Sequence, residues 1–259
     1  MENNRNDKVL IARIMDKVIL SRKRNRIMYT DFLNEYEIKI VEKELRKNKI
    51  ENFILSGGYE NSERKILIIY PENMDESLIN INLKSILKSI KIELPSEIKG
   101  KLQHRNYLGT LLSFGLAKER IGDIIVYEDS CYIIVLNENA QYLKTSLEYE
   151  KLLKKAKISI INIDEIKAKE IEFEDIVISV NSIRIDNILS ELLKISRKNS
   201  QELIENERVS VNYSVIQKVT KTLQEKDILV IRGYGKFIVD EFLGKNKKDK
   251  EYIRIKKYK

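Results

Sequence analysis

The chain has 259 residues, 42% of them hydrophobic and 34% charged, with 48 Lys and Arg against 40 Asp and Glu. That balance excludes an intrinsically disordered chain, and no apolar run nears the roughly 18 residues needed for a membrane-spanning helix. One cysteine (Cys131) and one histidine (His104) exclude a disulfide framework and a zinc cluster, so we expect a cytoplasmic protein without cofactor or metal.

In chain order, residues 5–20 place Val9, Leu10, Ile14 and Ile19 at helical spacing among Arg5, Lys8, Arg13 and Lys17. This predicts an amphipathic helix broken by a basic turn at 21–26. A second helix is predicted from a cap at Thr30 or Asp31, with Phe32, Leu33, Tyr36, Ile40, Val41 and Leu45 recurring every three or four residues. Strands follow at 52–56 and 65–70, joined through Gly57-Gly58, and Pro71 helps to close a first domain of residues 1–75.

From 76 to 174 the predicted order is strand (86–94), helix (106–116), strand (123–127), strand (132–136), helix (140–154) and strand (157–163). That order is the ferredoxin-like βαββαβ arrangement. Many RNA-recognition domains share it, but the strand at 131–135 lacks the aromatic pattern on which they stack bases. Cys131 alternates with apolar neighbours and is assigned to the core. A third domain, 175–244, reads as helices at 184–194 and to about 206, the second capped by Ser196. Strands at 209–211, 228–232 and 237–239 complete it. Residues 245–259 remain as a basic tail, in which Tyr252, Ile253 and Ile255 suggest a short final strand or an arm that orders on binding.

Charge is unevenly placed. Residues 1–26 carry eight Lys/Arg against three Asp/Glu, residues 245–259 eight against two, and the stretch between them is slightly acidic. Basic ends on a near-neutral body fit a protein that reaches a polyanion, because cations that neutralise phosphates release counterions.

The fragments Ile183-Arg184-Ile185-Asp186, Ile195-Ser196-Arg197, Leu203-Ile204, Val209-Ser210-Val211-Asn212 and Lys226-Asp227-Ile228 resemble an S4 RNA-binding domain. In such a unit Arg184, Ser196, Arg197, Lys198 and Gln201 lie near the junction of two short helices, with Arg208 and Asn212 flanking the following strand. Arginine offers a rigid fork of donors to phosphate oxygens, and Ser, Gln and Asn add neutral donors to phosphate or 2′-OH groups. Asp186 is read as pairing with Arg184 and capping the first helix. The pattern departs from the usual S4 sequence at Glu207 and Tyr213, which replace glycines, and at Val219, which replaces a proline. Residues 180–244 hold ten basic and nine acidic residues, so attraction for RNA is expected to come largely from the basic ends.

His104-Arg105 superficially suggests a kinase catalytic loop, but Asn106 stands where the catalytic Asp belongs and no Asp-Phe-Gly follows. His104 and Arg105 either contact RNA or stabilise the loop. Taken with Gly57-Gly58-Tyr59-Glu60, Glu63-Arg64-Lys65, the His104–Gly109 segment, Gly122-Asp123-Ile124 and Arg232-Gly233-Tyr234-Gly235-Lys236-Phe237, the S4 unit resembles the bacterial YlmH family over almost the whole chain.

The resemblance implies an α+β protein: an N-terminal α/β unit, a ferredoxin-like (βαββαβ) middle domain and a C-terminal S4 (αL-motif) RNA-binding domain. It further implies a cytoplasmic, ribosome-associated RNA-binding protein, which we expect to be non-catalytic and monomeric. Such a protein would bind ribosomal RNA and tRNA of large ribosomal subunits carrying stalled peptidyl-tRNA, in ribosome-associated quality control. Lys236, in the last of these segments, faces either solvent or phosphate. The competing readings are an RNA-modifying enzyme of the pseudouridine synthase or methyltransferase class, and a division-linked regulator acting through protein partners. Only 73 residues follow Asp186, and Gly57-Gly58 sits in a hairpin rather than a cofactor loop, which disfavours the enzyme.

Overall fold

The structure is a computed structural model describing residues 2–167, 172–246 and 249–258. The chain divides into two compact units, residues 1–169 and 170–259.

The first unit runs α1 (Glu2–Arg24), β1 (Met28–Leu33), α2 (Glu35–Lys47), β2 (Phe53–Ser56), β3 (Lys65–Ile69), α3 (Glu76–Ile86), β4 (Leu87–Glu93), α4 (His104–Ser113), β5 (Ile121–Val126), β6 (Ser130–Leu136), α5 (Asn137–Tyr149) and β7 (Lys157–Ile161). Its sheets are antiparallel, one ordered β1-β3-β2 and the other β5-β6-β4-β7. The second order is that of the split βαβ fold.

The two sheets stack, and the sequence shows why. Ile66-Leu67-Ile68-Ile69 has no polar alternation because both faces of β3 are covered. Leu67 and Ile69 join Leu33, Val41, Leu45, Ile14 and Val18 under α1 and α2. Ile66 and Ile68 join Phe32 against Leu87, Ile125, Tyr132, Ile134 and Leu136 of the second sheet. The opposite face of that sheet, through Ile90, Ile92, Ile133 and the buried Cys131, packs on Tyr107 and Leu111 of α4 and Ala140, Leu143 and Leu147 of α5. A boundary at residue 75 therefore divides a shared core rather than two independent ones.

Close approach of the sheets requires Gly122, since a Cβ there would lie 2.7 Å from the Phe32 ring. Polar contacts fix the register. Asp123 accepts hydrogen bonds from the Tyr59 hydroxyl (2.8 Å) and the main-chain N–H groups of Glu63 (2.7 Å) and Arg64 (3.0 Å). Burial pushes its carboxyl pKa up against these three bonds. Arg64 bridges to the carbonyls of Phe32, Lys118 and Ile121.

Three expectations change in this unit. Residues 28–33 are a strand, with Phe32 and Leu33 on opposite faces; the helix starts at Glu35 behind a capping box formed by Asn34 and Glu37. The basic turn at 21–26 is helical as far as Arg24, where Arg22, Lys23 and Arg24 suit the negative end of the helix dipole. Residues 76–86, for which no element was expected before the strand at 86–94, form α3, and that strand starts at Leu87.

The second unit runs β8 (Phe173–Val180), α6 (Ile185–Leu193), α7 (Arg197–Glu205), β9 (Val209–Val211), β10 (Ser214–Val215), β11 (Ile228–Ile231), β12 (Gly235–Lys245) and β13 (Glu251–Tyr258). One antiparallel sheet, β10-β9-β11-β12-β13-β8, packs its inner face on α6 and α7 through Ile188, Leu189, Leu192, Leu203 and Ile204. Of the two expectations for the basic tail, a short final strand or an arm that orders on binding, the strand is found, and it belongs to the sheet rather than to a separate tail. Residues 251–258 are a strand between β12 and β8, because Ile253 and Ile255 alternate into the core and are fully buried. Within it, Lys256 pairs with Asp240 and Arg254 with Glu241, so these charges are already engaged. Lys247, Lys248 and Lys259 of the expected tail lie outside the described residues. Among the described residues no helix is long and apolar enough to cross a membrane.

Candidate nucleic-acid interface

Asp186 organises the junction of α6 and α7. Its side chain is fully buried, closed over by two arginines that remain partly exposed (32% for Arg184, 55% for Arg197). Arg184 donates from Nε to Oδ1 (3.1 Å) and from Nη2 to Oδ2 (2.9 Å). Arg197 donates from Nε (3.1 Å) and Nη2 (3.0 Å) to Oδ2, and Gln201 from Nε2 at 3.3 Å. Burial alone would raise the Asp186 pKa, but the hydrogen bonds from Arg184, Arg197 and Gln201 outweigh it and hold the carboxyl below its ordinary range.

Both guanidinium groups are thus gripped by the same edge, Nε and Nη2. Neither Nη1 takes part in these bonds to Asp186. The two helices are themselves tied, since the Ser200 hydroxyl donates to the Asp186 carbonyl at 2.9 Å. Lys194, left-handed at φ +55°, ends α6, and the Ser196 hydroxyl accepts from Asn199 N–H (3.1 Å) to start α7. Lys198, in the first turn of α7, is exposed.

Arg184, Ser196, Arg197, Lys198 and Gln201 are therefore brought together. The remaining expected residues are placed differently. Arg208 is exposed and donates to the Arg232 carbonyl at 3.2 Å, at the β11–β12 corner. The Asn212 amide donates to Asp227 (2.6 Å) and accepts from Ile228 N–H (3.1 Å), so it closes the turn rather than facing a ligand. Its φ of +50° and the +66° of Tyr213 make the tight reversal between β9 and β10. Lys236 lies over the rings of Tyr258 and Tyr213 on the helix-free side of the sheet. Glu207 stands at φ +56°, a conformation that favours glycine, and accepts from Gln217.

Two features escape sequence reasoning. One is Asp186 as the hub for both arginines. The other is the 216–222 segment, where Gln217, Lys218, Thr220, Lys221 and Thr222 line an open cleft of about 460 Å³ with no carboxylate among its lining residues. Main-chain bonds between Ile185 and Lys221 and between Leu223 and Ile183 hold this segment beside the start of α6. Its signal was two lysines three residues apart, interleaved with threonines. Among the described residues no group of three or more His, Cys, Asp or Glu could hold a metal ion.

Comparison with known proteins places these units. Residues 76–170 match the family described as "Putative RNA-binding domain in YlmH", and residues 183–229 match the S4 domain. The chain is 28% identical over 264 residues to the "Ribosome-associated protein quality control protein P2" of Bacillus subtilis (strain 168), covering 98% of this chain and 96% of that protein. A solved structure, "Cell division protein ylmH from Streptococcus pneumoniae", aligns with a TM-score of 0.46 and 17% identity, covering 62% of this chain and 95% of that one.

Proposed function

Because the chain belongs to the YlmH family of S4-domain RNA-binding proteins, we propose that it acts as a non-catalytic docking factor on the large ribosomal subunit. Its contacts there would be with ribosomal RNA and tRNA, and its role the quality control of stalled peptidyl-tRNA. The observation that carries this reading is the Asp186 clamp. It holds two arginines by one edge and leaves them partly exposed beside Lys198, an arrangement suited to the fixed spacing of phosphates on folded RNA. Lys218 and Lys221 extend the same cationic surface. The one buried carboxylate at this surface is saturated by hydrogen bonds and held ionised, which suits it to orienting cations rather than moving protons. Ribosome association draws support from the B. subtilis relative, whose name states it.

Sedimentation of the Arg197→Glu/Lys198→Glu variant with large subunits carrying peptidyl-tRNA tests the proposal. The variant should remain at the top of the gradient while the wild-type chain travels with the subunit. Undiminished co-sedimentation would remove the helix junction as the docking surface.

A further inference from the structure

The sheet of the second unit carries helices on one face only, and its other face is not the polar surface such a sheet usually presents to water. Strand register sets a row of side chains across that face. Phe173 on β8 pairs with Tyr258 on β13, and Lys236 on β12 lies 4.6 Å from the Tyr258 ring centroid. Lys236 pairs with Val230 on β11, Val230 with Ser210 on β9, and Ser210 with Val215 on β10. Tyr213 joins the row with its ring 5.2 Å from Lys236. Phe173 and Tyr258 meet edge to face at 5.0 Å, and Lys256 stands 6.0 Å from the Phe173 ring. The row itself contains no carboxylate. Asp175 lies two residues further along β8, opposite Lys256, and Asp240 and Glu241 on β12 are engaged by Lys226, Lys256 and Arg254.

We propose that this open sheet face is a second RNA surface, on which unpaired bases stack against Phe173 and Tyr258 while Lys236, in the same row, meets the adjoining phosphate. Neighbouring strands are about 4.8 Å apart, so the two rings, set edge to face, lie side by side within the reach of adjacent unpaired nucleotides. Lysines beside aromatic rings give this face both positive charge and π-surface, the two features that single-stranded nucleic-acid sites combine. The face also continues from the helix-side surface. The β11–β12 corner that holds Arg208 against Arg232 leads directly into Gly235 and Lys236, and Tyr213 sits at the neighbouring turn. The first unit offers no equivalent platform at the stacked face of its second sheet, because Tyr132 there is only 2% exposed beneath Phe32, Ile66 and Ile68. The proposal does not rest on docking through Arg197 and Lys198, which lie on α7, on the other side of this sheet.

Binding of a short, unstructured, fluorescein-labelled RNA to the full chain, measured by anisotropy across a salt series, tests it. Phe173→Ser/Tyr258→Ser should weaken binding at least roughly five- to hundredfold, the range for loss of one stacked base, with the salt slope unchanged. Tyr258→Phe should bind as wild type, because the ring and not the hydroxyl is required. The chain has no tryptophan, so Tyr258→Trp introduces a single reporter whose emission should be quenched as RNA is added. Arg197→Glu/Lys198→Glu should lower the salt slope yet leave that quenching intact. The proposal is overturned by a cooperatively melting double variant that binds RNA like wild type, or by Tyr258→Trp emission that ignores RNA. A double variant that loses a protein partner with its RNA affinity unchanged overturns it equally. Should the double variant fail to fold, the tryptophan variant decides alone.

Discussion

Replacing Asp186 by Asn separates two roles for this carboxylate, orienting the arginines or merely neutralising them. Oδ2 receives four of the five side-chain hydrogen bonds and Oδ1 one, so an amide oxygen at the Oδ2 position keeps most of the geometry but loses the charge. Hydrogen bonds to a charged group contribute about 1.5–3 kcal/mol against 0.5–1.5 for neutral ones. Arg184 and Arg197 are 32% and 55% exposed, and water compensates part of that difference. The expected destabilisation is about 2 kcal/mol, or roughly 8–16 °C in Tm for a domain of this size.

The pH dependence follows from the depressed pKa. An acid whose folded pKa lies below its unfolded value of about 3.9 contributes stability above that value, and loses it as pH falls through the folded pKa. The gap between wild type and variant, followed by circular dichroism melts, should therefore be full at neutral pH and close in acid. RNA affinity should fall by about tenfold, an illustrative 1.4 kcal/mol for two arginines that lose their fixed direction. Two results would refute the reasoning: tighter RNA binding by the folded variant, as simple removal of a negative charge demands, or a stability gap that persists unchanged below the carboxylate range.

Other substitutions test the stacked sheets and the turn chemistry. Gly122→Ala should destabilise the first unit by about 1–3 kcal/mol through collision with the Phe32 ring. Pairing it with Phe32→Leu in a denaturation series should give less than the sum of the two single effects. Asp123→Ala leaves the Tyr59 hydroxyl and two main-chain N–H groups without their acceptor and should cost about 3 kcal/mol or more in the same assay. Glu207→Gly relieves a left-handed backbone strain of about 1–2 kcal/mol and restores a glycine entropy cost of about 0.5–1 kcal/mol. Its melting point should hardly fall, while its RNA affinity should rise because a carboxylate leaves the cationic side of the unit.

Much of the architecture was legible because periodicity and turn chemistry agreed. The βαββαβ order of the middle region and the two short helices at 184–206 followed from spacing and caps. Residues 28–33 were not legible from spacing alone, since Phe32, Leu33 and Tyr36 fit a helix as well as a strand. The deciding signal was local: Asn34 followed three residues later by Glu37. A final strand was legible as one option at Tyr252, Ile253 and Ile255. Its place inside the sheet between β12 and β8 was not, because Arg254 and Lys256 alternate with the two isoleucines and read as a solvated tail. At the interface the arginines were readable as RNA-facing types, but their convergence was not. Arg184 and Arg197 reach one carboxylate from two helices, a fact of three dimensions that no linear spacing contains. Asn212 is the converse case, a residue of suitable chemistry whose amide is already used within the fold.

The place of β13 also governs how the second unit can be built. β8, the first strand of the unit to be synthesised, has β13 as its only sheet neighbour among the described residues, with Phe173 opposite Tyr258. Nothing made earlier can hold β8 in register, so the unit pays a long loop closure before this pairing forms and should fold late and slowly. A chain cut after β12 but before residue 251 leaves β8 without a partner and uncovers the eleven-residue edge of β12, an open template for pairing with other chains. Interrupted synthesis of this protein would thus yield a product prone to aggregate, one that retains the sequence of the helix junction but lacks the strand that closes the sheet behind it.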